Sequence, residues 1–138
     1  MTTPAFPFKE QAVAERDRLE RADGLVDYAS RCIDIEATAQ RAVYAAEDGL
    51  RAVERAIKRI EAEADLMTAD GKNATARESA AQLWLSEHAE YQRLSVEREE
   101  KRSASRGLAV DLATASHMRQ LAMEALRLEA ARLHGGAN

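Results

Sequence analysis

Apolar residues recur along the first half of the chain at alternating steps of three and four. Ala22, Leu25, Ala29, Cys32, Glu36, Ala39, Val43, Ala46, Leu50, Val53, Ile57, Ile60, Ala64 and Met67 follow this rule, and only Glu36 breaks the apolar run. Such spacing holds one face of an α-helix against a neighbour along its length. Strands are not expected, because period-two alternation is absent and Ala, Glu and Arg dominate. Residues 9–67 and 76–134 are both free of proline, and Asp70-Gly71-Lys72-Asn73 lies between them. The pattern predicts an all-α protein, a long antiparallel helical hairpin of coiled-coil character with its turn at 68–76.

The second segment carries its own seam. Ala80, Trp84, Tyr91 and Leu94 open it, and Leu108, Leu112, Ala115, Ala122, Leu126 and Leu133 close it. Between them the same face bears Arg98, Lys101 and Ser105, whose stems or small size suit a partly covered position. A fold about residue 72 would set Trp84 opposite Ile60, Tyr91 opposite Val53 and Leu112 opposite Cys32. Glu36 would then fall near Leu108, one turn from Arg106. The two charged residues either form a register-setting pair or both turn outward. Ser103, Ser105 and Gly107 weaken the second helix, and a break there would make three helices. At the turn, Gly71 suits the left-handed conformation that ends a helix. Asn73 competes with Thr75 for the next N-cap, and Glu78 completes a capping-box spacing from Thr75.

A second stripe runs beside the first seam: Ile35, Ala42, Ala45, Gly49, Ala52 and Ala56. All but Ile35 are small, and small residues let helix axes approach closely. Met118, Leu121, Ala125 and Leu128 likewise lie outside the main stripe of the second segment. Each helix thus asks for two neighbours, one its hairpin mate and the other from elsewhere. Self-association is the economical answer, a dimer forming a four-helix bundle. The plainer alternative is alanine serving as a helix former on a wet face.

Composition agrees with long helices: aromatic residues make up 4% of the 138 and charged residues 32%. One domain is expected at 9–134, after an extended arm at 1–8 and before a flexible tail at 135–138. Pro4 and Pro7 keep the arm extended, and Phe6 and Phe8 make it a candidate for docking on a partner. Net charge is −4. Residues 1–70 hold ten basic and fifteen acidic side chains, and residues 71–138 hold ten and nine. Neither half has the basic excess of a nucleic-acid footprint. The candidate phosphate contacts are Arg93, Arg98, Lys101, Arg102 and Arg106, interleaved with Glu97, Glu99 and Glu100. A solvated helix face is the simpler reading of that stretch.

No stretch is apolar enough for a bilayer, and the start lacks the plan of a signal peptide. Cys32, on the seam, reads as a small core residue, and a cytoplasmic location is expected. No catalytic, metal or cofactor residues are assigned. His88, His117 and His134 are far apart in sequence, Cys32 has no cysteine partner, and Gly71-Lys72 lacks the rest of a phosphate loop. The chain is not expected to be an enzyme.

The stretch from Asp65 to Tyr91 carries Gly71-Lys72-Asn73, then Arg77 and Glu78, then Glu90-Tyr91. It resembles the small helical-hairpin proteins encoded by tailed bacteriophages and prophages, which carry a Gly-Lys-Asn turn followed by a helix. The resemblance covers about a fifth of the chain and transfers no catalytic residue. It implies a phage product acting in an infected bacterial cell. The expected function is a homo-oligomeric module that binds another, unidentified protein. Two alternatives are a DNA-recombination or replication accessory, including an inhibitor of a host nuclease, and a structural part of the virion. Binding to nucleic acid belongs to the first alternative and is not favoured.

Overall fold

The structure is a computed structural model that describes residues 7–135, with side chains described at 14, 16, 17 and 20–135. Its described residues form three α-helices and no strand: α1 (Pro7–Met67), α2 (Ala74–Glu87) and α3 (Ala89–Gly135). Pro7 occupies the first helical position, where its missing N–H costs nothing and its fixed φ suits the helix. Residues 7 and 8 therefore belong to α1, not to the extended arm expected from the two prolines. Phe6 lies outside the described residues, as does the side chain of Phe8. Gly135 is the last residue of α3, not the first of a tail.

The second segment breaks, but not at the serines and Gly107. Gly107 sits inside α3, and the break falls at His88. The second segment is therefore two helices, not the one expected.

The chain divides into two compact units. The first comprises Met1–Gln40 and Asp111–Asn138, the second Arg41–Val110. In the first, the α1 and α3 segments run antiparallel. Ala29, Cys32 and Ala122 form the buried cluster, and Met118 and Leu126 pack against it. In the second, all three helices contribute. Val53, Ile57, Ile60 and Ala64 of α1, Ala81 and Leu85 of α2, and Leu94 of α3 share one cluster, with Ala56, Trp84 and Tyr91 against its edge.

The α1 seam is covered from Ala22 to Ala64: each of those thirteen residues is buried or half-buried, and only Met67 at its end is exposed. The α3 seam is covered too, including Arg98, Lys101 and Ser105. The register differs from a fold about residue 72. Glu36 meets Arg119, not the neighbourhood of Leu108 and Arg106. Cys32 clusters with Ala122, not Leu112. The offset is about three helical turns. In the second unit α2 is a third element of the core and not the first turns of a long partner for α1.

The turn also differs in its chemistry. Gly71 does not adopt positive φ. Its missing Cβ is needed for a close approach: a Cβ there would lie 2.6 Å from Arg77 Cγ and 3.2 Å from the Arg77 backbone nitrogen. Arg77 also donates through a guanidinium N–H to the Gly71 carbonyl at 3.3 Å. Thr68 ends α1, its hydroxyl donating to the Ala64 carbonyl at 2.8 Å. Asn73 is the N-cap of α2: its Oδ1 accepts the Ala76 N–H at 2.8 Å.

Candidate interaction surface

The first unit carries apolar side chains that its own pairing leaves outside. Val26 and Ile33 are 51% and 46% exposed, Tyr28 and Ile35 41% and 51%. Each pair is seven residues apart, so each forms a row along α1. Leu121 and Leu128 form a similar row on α3, at 58% and 52%. Tyr28 is tied to the seam at its hydroxyl: a hydrogen bond with the Cys32 thiol holds its pKa above the ordinary phenol range.

The small-residue stripe divides by burial. Ala42, Gly49 and Ala56, seven apart, are half-buried against their own unit. Ala56 packs on the core cluster, and a Cβ on Gly49 would touch Lys101 Nζ at 3.7 Å. Ala45 and Ala52 are exposed, and Ile35, in the first unit, is exposed as well. The open part of the stripe is therefore Ala45 and Ala52, with Ile35 further along α1. Met118 packs inward on the first unit's cluster, leaving Leu121 and Leu128 as the outward residues of the α3 set.

The basic stretch of α3 is largely matched by carboxylates. Arg93 lies 3.8 Å from both Glu90 and Glu97, and Lys101 4.0 Å from Glu97. Arg102 pairs with Glu99 at 3.1 Å and with Glu54 of α1 at 3.6 Å. Arg98 approaches Glu99 at 3.9 Å, while its Nε is buried without a hydrogen-bond partner. Arg106 is exposed. The five candidate phosphate contacts thus share one stretch of helix in which four of them already face an acid.

One polar pair crosses the first unit. Arg119 Nε donates to both carboxylate oxygens of Glu36, at 2.9 and 2.8 Å. That pairing, with a second hydrogen bond from Ser116, holds the Glu36 carboxyl below its usual range against the opposing effect of desolvation. Sequence reasoning singled out Glu36 but missed Arg119, because the partner follows from the register. It also passed over Glu129, buried in α3 and paired with Arg132 at 3.5 Å. Among the described residues no group of three or more His, Cys, Asp or Glu is placed to hold a metal. No helix among them is long and apolar enough to cross a membrane.

Comparison with protein-family models, with curated proteins and with solved structures finds no match to this chain.

Proposed function

We propose that this chain is a non-enzymatic protein-interaction module that associates with itself, most simply as a dimer forming a four-helix bundle. In this reading it is a phage product that acts in the host cytoplasm by binding a further protein. The observation that carries the self-association is the set of outward rows in the first unit: Val26 and Ile33, Tyr28 and Ile35, Leu121 and Leu128. Exposed apolar rows of this kind mark protein contact sites. Within the second unit, Ala45 and Ala52 leave α1 open with residues small enough for close helix packing. The carboxylates that face Arg93, Arg98, Lys101 and Arg102 favour a protein partner over nucleic acid, since a phosphate would have to displace them.

Charge placed on the outward rows tests the proposal. Ile35→Glu and Leu121→Glu add a carboxylate to positions already exposed, so folding is spared. Both should shift the protein toward monomer in sedimentation. Unchanged association in both variants would discard this surface. A titration with single- and double-stranded DNA at low and moderate salt separates the alternative, because phosphate contacts make affinity fall steeply with salt. Salt-sensitive, tight DNA binding would favour the recombination or nuclease-inhibitor reading.

A further inference from the structure

The break between α2 and α3 is built around one imidazole. His88 is the C-cap of α2, with φ −85° and ψ 106°, and its backbone N–H donates to the Leu85 carbonyl at 3.1 Å. The same residue caps α3. Its Nδ1 accepts the backbone N–H of Tyr91 at 3.1 Å, and its carbonyl accepts from Gln92 at 3.1 Å. That is the geometry of an N-cap: extended backbone, with the side chain accepting from the third helical residue. Gln92 reciprocates toward α2, its Nε2 donating to the carbonyls of Leu85 at 3.2 Å and Ser86 at 3.4 Å. Trp84 lies over the imidazole, ring centres 4.8 Å apart. Leu85, Trp84 and Tyr91 then lead into the second unit's core.

An imidazole accepts at Nδ1 only when neutral, with its proton on Nε2. A second proton turns Nδ1 into a donor that faces the Tyr91 N–H, another donor. It also places a positive charge at the N-terminus of a 47-residue helix, where the helix dipole opposes it. Aspartate, asparagine, serine and threonine, the usual N-caps, do not lose their acceptor in this way at neutral or mildly acidic pH. We propose that His88 makes the α2–α3 joint a pH-sensitive hinge, closed while the imidazole is neutral and opened by its protonation.

The charged groups next to the joint are Glu87 and Glu90, on its own helices. Among the described residues no carboxylate comes within 4.0 Å of the ring, and Glu90 is engaged with Arg93. The cap is therefore the interaction that responds most directly to the proton. The core residues behind it are apolar, so the response is local to the joint.

Amide hydrogen exchange across pH 8 to 5, with rates corrected for the intrinsic pH dependence, reads the hinge directly. The Tyr91 amide is the reporter, and the Ala76 amide, held by the non-titrating Asn73 cap, is the internal control. In the wild-type chain protection at Tyr91 should fall roughly fivefold or more as His88 becomes charged, the usual consequence of losing an N-cap, while Ala76 stays constant. His88→Asn keeps an N-cap acceptor without a titrating ring and should hold Tyr91 protection flat over the same range. Wild-type Tyr91 protection that tracks Ala76 would overturn the proposal. So would the same fall in His88→Asn, which would assign the effect to Glu87, Glu90 or another titrating group.

Discussion

Glu36 and Arg119 clasp one another across the first unit, a single guanidinium nitrogen donating to both oxygens of one carboxylate at 2.9 and 2.8 Å. Glu36 is the one polar residue in the α1 seam, and its partner stands on the covered face of α3 beside Met118 and Ala122. A carboxylate in an apolar row tolerates only registers that bring it a donor, because an unpaired charge against apolar neighbours is costly. The pair thus selects among registers that the alanine-rich seams would otherwise accept.

Its pH signature follows from the direction of the shift. The folded-state carboxyl titrates below the 4.5 of an unperturbed glutamate, first because of Arg119 and then Ser116. The stabilisation is present above pH 4.5 and is lost as pH falls through the lower folded value. Wild type should therefore melt higher than Glu36→Gln near pH 7, and the gap should close toward pH 3. A gap that is constant across thermal melts from pH 7 to 3 would contradict the assignment.

The glycines divide into two kinds. Gly107 lies mid-helix with nothing within 4 Å of an added Cβ. Gly107→Ala should stabilise by up to about 1 kcal/mol through helix propensity alone. Gly71→Ala should destabilise, because its Cβ would lie 2.6 Å from Arg77 Cγ and 3.2 Å from the Arg77 backbone nitrogen. Urea unfolding of the two variants checks the opposite signs.

Ile57 and Trp84 meet the same core from different depths. Ile57 is 2% exposed at its centre, whereas Trp84 is half-buried at its edge. Ile57→Ala should cost about 2–5 kcal/mol. Trp84→Ala should cost less than the 3–5 kcal/mol of a fully buried aromatic. Chemical denaturation that ranks Trp84→Ala as the more damaging would contradict this arrangement of the cluster.

Much of the architecture was legible from spacing. The seam from Ala22 to Ala64 names the covered face of α1, and Leu94, Ala115 and Ala122 were read correctly as covered residues of the second segment. The helix-to-helix register was not legible. A heptad row of alanines and leucines pairs almost equally well when slid by whole turns, so the register rests on details between the rows. Chief among them is the Glu36–Arg119 pair, and the break itself is marked by the cap at His88. Histidine is a weak sequence signal for an N-cap, so the pattern predicts a continuous second helix, with the serines and Gly107 as the alternative place for a break. Asn73, a strong N-cap type, was recognised as a candidate and takes the role. Of the candidate surface, Ile35, Ala45 and Ala52 are open, whereas Ala42, Gly49 and Ala56 face partly inward. A stripe drawn on a single helix does not reveal how far a neighbouring helix reaches round it.

The open half of the stripe yields a substitution test. Ala45→Leu and Ala52→Leu fill positions where an opposing helix would approach closely, and overpacking such a contact costs typically about 1–3 kcal/mol. On a face that stays wet, leucine is nearly neutral, being a good helix former. Dimer dissociation constants should therefore rise about fivefold or more in each variant while monomer helicity by circular dichroism is unchanged.

Self-association is the claim on which the functional reading depends, and sedimentation velocity of the wild-type chain at micromolar concentration tests it most directly. A species of twice the 15.2 kDa chain mass is predicted, dissociating on dilution. A single species at the chain mass across that range would contradict it.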